Sequence, residues 1–294
     1  GLLVGTERGL ARYRAGARRW LKMPGPGQGA PVTALARQGA VRWVGTGGRG
    51  LACFDAKSRR WGHARGAGLP SSGVNTIAVA AHEVWLGTGG GVHDWNGGLS
   101  RLDERTGEWQ TWTTRDGVPN RVVNAIALDG ERVWVATRRG LSLFVPRTGR
   151  WAAWTRAQGM PDEFVVSLAV GLGRVWFGTD RGGAGYLEPA TGKVTLLSPP
   201  SGWGPRAVES IALEGEAIWF ACWDGVRRYD AATREWTHFG VSQGLVHPVV
   251  WAVWPDREHL WVGTTRGVTR LSKSDGAVET FTRADGMPDD MVWG

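Results

Sequence analysis

The chain has 294 residues, with 19 tryptophans and 46 glycines beside only three tyrosines, a bias typical of short strands joined by tight turns. Its formal net charge is +8, carried almost wholly by arginine, which permits an anionic partner without requiring one. No apolar run approaches the length of a membrane-spanning helix, so we expect no direct insertion into a membrane. The sequence begins with Gly1 and shows no signal-peptide pattern, so we expect a piece of a longer protein without a targeting signal of its own.

A four-residue phrase returns through the whole chain: a tryptophan, an aliphatic or aromatic residue, a small residue and a threonine. Its copies occupy residues 3–6, 43–46, 85–88, 134–137, 176–179, 219–222 and 261–264. Leu3 replaces the tryptophan of the first copy, and Cys222 replaces the threonine of the sixth. Successive copies begin 40 to 49 residues apart, and self-similarity at such a period indicates one supersecondary unit that is stacked many times.

Each unit contains four short β-rich runs divided by glycine or charged turns, with no helical periodicity between them. Seven such units predict an all-β fold, a single-domain β-propeller of seven four-stranded blades over residues 1–294. We place blades 2 to 7 at residues 31–66, 73–115, 122–157, 164–198, 207–241 and 249–284. Residues 1–23 supply the outer strands of blade 1 and residues 289–294 its innermost strand, so that the N- and C-terminal strands close the ring.

A second phrase recurs between the blades, at residues 68–72, 117–120, 159–162 and 286–289, with a variant at 244–248. In its first copy it reads G-L-P-S, followed by a valine and an isoleucine-alanine pair and then by the tryptophan phrase. This combination resembles the two-component regulator propeller repeat, a sensor-type β-propeller of bacterial signalling proteins, over essentially the whole chain. The match is weakest at 24–32 and 199–206. The resemblance implies a propeller that senses a ligand in the periplasm or outside the cell.

Arginine precedes the glycine of the turn between the second and third strands in five blades. These residues are Arg8, Arg49, Arg139, Arg181 and Arg266. In a propeller these turns share one face with the loops that join consecutive blades, and we call it the upper face. Guanidinium groups arranged there can bind carboxylate or phosphate, whereas solvated turn residues are the alternative interpretation.

The position after the inner-strand valine occurs once in every blade, near the mouth of the central channel. In ring order it holds Trp293, Thr33, Asn75, Asn124, Val166, Glu209 and Trp251. Blades 6, 7 and 1 therefore offer Glu209, Trp251 and Trp293 side by side. We expect Trp203 and Trp223 to approach the same sector, with His247, Asp289 and Asp290 on adjoining loops and Trp254 further down the strand.

Aromatic faces beside carboxylates suit a sugar or a cationic group, so these residues predict a ligand pocket at the channel mouth. The alternative is that the rings plug the channel. A second candidate is the insertion in blade 3, residues 89–98, which places His93, Asp94 and Trp95 between glycines. Long loops on rigid scaffolds often carry function, although a decorative turn explains this one equally well.

Catalytic and metal-binding signals are poor. The six histidines show no metal-ligand spacing, no calcium loop or nucleophile motif is present, and we expect neither a metal nor a cofactor. Cys53 and Cys222 fall in distant blades, so no disulfide is expected, and the scattered arginines do not favour nucleic acid. We predict a non-catalytic propeller that recognises a small molecule, glycan, peptide or protein partner on its loop face. The alternatives are a lyase or hydrolase that uses Glu209 and His247 at the channel mouth, and an assembly scaffold.

Overall fold

The computed structural model describes residues 2–25, 28–63, 69–90, 96–203 and 207–294. Its strands form seven antiparallel sheets in which neighbouring strands are consecutive in the chain, which confirms the predicted seven-bladed β-propeller. Blade 1 contains β1 (Leu3–Thr6), β2 (Gly9–Arg14) and β3 (Arg19–Met23). Blade 2 contains β4 (Val32–Gln38), β5 (Val41–Thr46), β6 (Leu51–Asp55) and β7 (Arg60–His63). Blade 3 contains β8 (Val74–Ala80), β9 (Glu83–Thr88), β10 (Leu99–Asp103) and β11 (Trp109–Trp112).

The remaining blades repeat this arrangement. Blade 4 contains β12 (Val123–Asp129), β13 (Arg132–Thr137), β14 (Gly140–Val145) and β15 (Arg150–Trp154). Blade 5 contains β16 (Val165–Gly171), β17 (Arg174–Thr179), β18 (Ala184–Leu187) and β19 (Val194–Leu196). Blade 6 contains β20 (Val208–Glu214), β21 (Ala217–Cys222), β22 (Gly225–Asp230) and β23 (Trp236–Phe239). Blade 7 contains β24 (Val250–Pro255), β25 (His259–Thr264), β26 (Gly267–Ser272) and β27 (Val278–Phe281).

Helical structure in the described residues is limited to four single 3₁₀ turns. They span Ala15–Ala17, Arg156–Gln158, Val241–Gln243 and Arg283–Asp285. None of these turns has the length or the apolar character that crossing a membrane requires.

The small residue of the repeated phrase locks neighbouring blades together. A Cβ atom built on Gly45 would lie 2.6 Å from Cγ1 of Val74, which opens the inner strand of the next blade. The corresponding distance from Gly87 to Val123 is 2.4 Å. Because the valine occupies the space that a Cβ atom would need, these two copies require glycine, whereas blades 4 and 6 carry Ala136 and Ala221 at the same position.

The threonine of the phrase holds the turn that follows it. In blade 7 the Thr264 hydroxyl donates to the carbonyl of Gly267 at 2.9 Å and accepts from the amide of Arg266 at 3.1 Å. The same pair of bonds forms around Thr137 in blade 4. These bonds fix the turn on the upper face and leave the arginine side chain pointing outward.

The two chain ends meet in blade 1, as the sequence predicts. Val292 forms an antiparallel bridge with Thr6, and the Trp293 amide donates to the Gly5 carbonyl at 2.9 Å. The amide of Gly5 donates in turn to the carbonyl of Gly294 at 2.5 Å. Val292 is buried in the cluster that joins blades 1 and 7, so both backbone pairing and side-chain packing close the ring.

Candidate ligand-binding face

A β-bulge accounts for the ring of residues at the channel mouth. In blades 2 to 7 the register between first and second strands shifts at the residue after the inner valine. The shifted residues are Thr33, Asn75, Asn124, Val166, Glu209 and Trp251. Trp293 holds the same place in blade 1, between Val292 and Gly294. A bulge leaves one residue without a partner opposite it and so re-aims its side chain, here around the upper end of the channel.

In blades 2, 3 and 4 the bulged residue ties its blade to the next one. The hydroxyl of Thr33 donates to the carbonyl of Val74 at 2.5 Å, and the amide nitrogen of Asn75 donates to the carbonyl of Val123 at 3.0 Å. Asn124 repeats the bond to the following blade at 2.7 Å. These side chains are used in holding the ring and leave little for a ligand.

In blades 6, 7 and 1 the bulged residue pairs with the second turn of its own blade, as the Asn75 side chain also does with the carbonyl of Gly89 at 2.7 Å. Trp223 Nε1 donates to Glu209 at 2.8 Å, and Trp251 Nε1 donates to the hydroxyl of Thr265 at 3.2 Å. In blade 1 the geometry repeats, with Trp293 Nε1 donating to Glu7 at 2.9 Å. The bulged position therefore joins neighbouring blades in blades 2 to 4, and it presents an acidic or aromatic side chain in blades 6, 7 and 1.

The three indoles form a continuous row across three blades. The ring centroids of Trp223 and Trp251 are 6.0 Å apart, and those of Trp251 and Trp293 are 4.8 Å apart. We call these rings, with Glu7 and Glu209, the aromatic arc. Because each indole N–H is already satisfied within the protein, the arc offers a ligand its ring faces and the remaining carboxylate lone pairs.

Burial gives the arc its electrostatic character. Removal from water raises the pKa of Glu209, the hydrogen bond from Trp223 opposes that rise, and the nearby charge of Asp180 adds to it. A carboxyl group whose charged form is disfavoured gains from a ligand that supplies a positive charge or several hydroxyl donors.

Two members of the arc region were missed from the sequence, Glu7 and Thr265. Each directly follows the threonine of the repeated phrase, a position that also occurs once in every blade. Trp223 stands at the same position in blade 6. Comparing this position across the seven copies, in the same way as the bulged position, would have found all three.

The structure does not bring Trp203 to the arc, contrary to the prediction from the sequence. Its Nε1 donates to the carbonyl of Leu197 at 2.7 Å, and its ring meets Phe220 and Trp236 edge-on at 5.3 and 5.4 Å. The indole therefore fills the interface between blades 5 and 6. Its apolar contacts and its one donor are satisfied there.

The remaining loop residues predicted for the pocket serve their own turns. The Nδ1 atom of His247 accepts the amide of Val249 at 3.2 Å, and Asp290 accepts the amide of Arg283 at 2.6 Å. Within the described residues no hydrogen bond joins His247 to Glu209. A role of His247 and Asp290 in ligand binding stays a prediction.

All five predicted arginines are exposed on second turns of the upper face. Arg8 pairs with Asp289 at 3.2 Å, and Arg181 pairs with Asp180 at 3.3 Å. Arg49 donates to the carbonyl of Gln28, whereas Arg139 and Arg266 have no ion-pair partner among the described residues. Their use in anion binding stays a prediction.

His93, Asp94 and Trp95 of the blade 3 insertion lie outside the described residues. Across the part of the chain that is described, no group of three or more histidine, cysteine, aspartate or glutamate side chains is placed to hold a metal ion.

Fold and arc together define a seven-bladed propeller with an aromatic upper face. No protein-family model matches the chain, and no curated protein sequence matches it. Among solved structures it is similar to the extracellular domain of the putative one component system BT4673 from B. thetaiotaomicron, with 17% identity and a TM-score of 0.74. That match covers 98% of this chain and 46% of the other, so the chain spans less than half of its neighbour's length.

Two further structures share the fold. The extracellular domain of the putative hybrid two component system BT3049 from B. thetaiotaomicron matches with 17% identity, a TM-score of 0.71, and coverage of 88% of this chain and 36% of that one. The computationally designed Ika8 protein matches with 14% identity, a TM-score of 0.67, and coverage of 98% and 85%. At these identities the likenesses establish the propeller fold that the family resemblance implies.

Proposed function

We propose that this propeller is a non-catalytic recognition module of the two-component regulator propeller type, a sensor or accessory unit of a bacterial signalling or cell-envelope protein. The observation that carries the proposal is the aromatic arc. Three indoles lie in contact on one face of the ring, and two of them, Trp251 and Trp293, stand at the bulged position whose side chain joins neighbouring blades in blades 2 to 4. Sites of this kind, with ring faces and a few fixed polar groups, are typical of ligand recognition.

The arc suits a sugar or a cationic group. Glu7 and Glu209 lie beside the indoles, and Asp180 adds a third carboxylate in the same sector. Indole faces stack on the C–H faces of a sugar or on a positive charge, and the carboxylates accept its hydroxyl or ammonium protons. A glycan, a small cation or a peptide with a basic side chain is the ligand class we propose.

The solved neighbours support a sensor role. BT4673 and BT3049 are described as extracellular domains of one- or two-component systems, and both are longer than this chain. We propose by analogy that residues 1–294 act as one domain, in the periplasm or outside the cell, within a longer signalling protein.

Replacing Trp251 and Trp293 together with alanine tests the binding site. Each ring that stacks on the ligand should contribute about 1–3 kcal/mol, so loss of both rings should weaken binding by about thirtyfold or more. The assay is tryptophan fluorescence, with confirmation by calorimetry, against a panel of glycans and peptides. Trp109→Phe, on the outermost strand of blade 3, is the matched control for loss of an indole signal. A ligand that binds the double variant with unchanged affinity would place the site elsewhere.

An enzyme is the second candidate, and the raised pKa of Glu209 favours it. A half-buried carboxyl group with a raised pKa at a channel mouth is a common general acid, and a lyase or hydrolase would use Glu209 in that way. Incubating the protein with the ligands found above and following product by mass spectrometry separates the two functions. Turnover that disappears in Glu209→Gln would establish an enzyme, whereas binding without turnover supports the recognition module.

A further inference from the structure

The packing between neighbouring blades follows one pattern around most of the ring. The tryptophan of the repeated phrase packs against residues from the third and fourth strands of the next blade. In five blades the fourth-strand residue is itself a tryptophan: Trp20, Trp61, Trp109, Trp151 and Trp236. Val194 and Val278 hold this place in blades 5 and 7. The interfaces that these two blades form with blades 4 and 6 therefore lack one indole.

Between blades 4 and 5 another indole fills the space. Trp154, at the end of β15, lies with its ring centroid 5.5 Å from that of Trp134, and its Nε1 donates to the carbonyl of Gly192 in blade 5 at 3.1 Å. Phe239 holds the same place in blade 6, since both residues pair with the residue that follows the turn glycine of their blade. A phenyl ring is smaller than an indole and has no N–H to donate. It fills the interface between blades 6 and 7 less completely.

An open pocket of about 470 Å³ lies in this interface. Its volume is within the range of about 300–1,000 Å³ that is typical of small-molecule sites. The pocket is on the face opposite to the upper face, between the turn that joins β20 to β21 and the turn that joins β26 to β27. We call it the interblade pocket. Its apolar lining consists of Ala217, Trp219, Phe239, Leu260 and Leu271.

One backbone acceptor in the interblade pocket is unused. Gly276 lines the pocket two residues before Val278, as Gly192 precedes Val194 in blade 5. The Gly192 carbonyl accepts the Trp154 indole, whereas the Gly276 carbonyl accepts no hydrogen bond from the described residues. The pocket therefore offers an aromatic ligand the same acceptor that the chain's own indole uses between blades 4 and 5.

The rim of the interblade pocket carries one uncompensated charge. Its ionisable side chains are Glu214, Glu216, Arg228, Asp230 and Lys273. Lys273 pairs with Glu214, and Arg228 pairs with Asp230 at 2.9 Å. Glu216 is exposed and forms no ion pair among the described residues. A free carboxylate beside an apolar, aromatic lining suits a ligand that joins a ring to a positive charge.

We propose that the interblade pocket binds a small aromatic amine. The ring of the ligand lies beside Trp219 and Phe239, where it completes the packing that Trp154 provides between blades 4 and 5. A ring N–H donates to the Gly276 carbonyl, and the ammonium group pairs with Glu216 at the rim. This site is separate from the aromatic arc on the upper face, and it does not depend on the function proposed for the arc.

Calorimetric titration with tryptamine, an indole that carries an ammonium group on a two-carbon chain, tests the proposal. We expect saturable binding with a Kd of about 1 mM or below, as suits a ligand of this size. Phe239→Trp places in blade 6 the indole that blade 4 already carries, so it should weaken tryptamine binding at least about tenfold without lowering the Tm. Absence of saturable binding to the wild type, or equal affinity of the wild type and Phe239→Trp, overturns the proposal.

A charge exchange at the exposed Glu216 gives a second test, which does not depend on the packing between blades. Indole-3-propionate has the ring and the chain length of tryptamine but carries a carboxylate. The wild type should prefer tryptamine, and Glu216→Lys should prefer indole-3-propionate, a reversal that partial unfolding cannot produce. Glu131→Lys is the matched control, because Glu131 stands at the same position in blade 4, and it should keep the preference of the wild type. An unchanged preference in Glu216→Lys overturns the proposal.

The aromatic arc also offers indole faces and carboxylates, so the titration is repeated on the double variant of Trp251→Ala and Trp293→Ala. Tryptamine binding that persists in the double variant and is lost in Phe239→Trp supports the interblade pocket as the site. The opposite result places tryptamine on the arc. It would overturn the present proposal and support the function proposed for the arc.

Discussion

A double-mutant cycle can measure one of the contacts that close the ring, the one between Gly263 of blade 7 and Val292 of blade 1. A Cβ atom on Gly263 would lie 2.8 Å from Cγ1 of Val292, and the nearest atom of any other residue, Cβ of Ala252, is 3.5 Å away. The backbone of Gly263 does not have a positive φ, so alanine is strained there only by the valine. Blades 4 and 6 carry Ala136 and Ala221 at this position.

The expected energies follow from burial. Val292 is 1% exposed, so Val292→Ala should cost about 2 kcal/mol for two buried methyl groups and the space they leave. Gly263→Ala alone should cost about 1–3 kcal/mol through overpacking. In the double variant the new methyl group occupies the space that the valine vacated. The two effects should therefore fall short of their sum by about 1–2 kcal/mol.

The assay is equilibrium unfolding in guanidinium, with the free energy of unfolding obtained for both single variants and the double variant. Gly263→Ala combined with Val74→Ala is the matched control, because Val74 opens the inner strand of blade 3 and does not touch Gly263. That control pair should be additive within about 0.5 kcal/mol. Additivity for Gly263 with Val292 would refute the closure of the ring by residues 291–294.

Three further predictions concern charged groups and thiols. Because burial raises the pKa of Glu209, the folded protein holds the Glu209 proton more tightly than the unfolded chain does. The contribution of Glu209 to stability should therefore fall as the pH rises from below 4.5 through the folded pKa. Thermal melts at pH 4 and pH 7 should show Glu209→Gln gaining stability relative to wild type over that interval. Burial also raises the pKa of Cys222 to about 12, so in Cys53→Ser, which lacks the half-buried second thiol, the protein should react with Ellman's reagent at pH 8 only after unfolding, and rapid reaction of that native variant contradicts the placement of Cys222. Changing Arg8, Arg139 and Arg266 together to glutamine should abolish salt-sensitive binding of heparin-like polyanions without altering the melting temperature, and retained binding would mean that these are solvated turn residues.

The repeat alone predicts the architecture, because each blade is encoded by a local sequence pattern and that pattern occurs seven times. Each copy of the tryptophan phrase defines a second strand, and the spacing between copies leaves room for three more. The C-terminal residues 291–294 match the start of an inner strand, so closure of the ring also follows from the sequence.

The arc is a mixed case. Aligning the copies places Glu209, Trp251 and Trp293 in three consecutive blades, and the structure brings these residues together with Trp223. Their juxtaposition is predictable because the position recurs at the same height in each blade. The bulge that turns these side chains to the channel mouth is not, since it depends on how the first strand pairs with the second.

Tertiary structure alone decided the location of Trp203 and the partners of the indole N–H groups. Trp203 lies on a loop, and the length of a loop determines neither the direction of a side chain nor the residues that it contacts. The carbonyl of Leu197 and the ring of Phe220 determine the position of the indole. Glu7 meets Trp293 from the opposite end of the chain. A repeat specifies the strands of each blade. The position of a side chain between two blades depends instead on the space and the hydrogen-bond partner that the neighbouring blade offers.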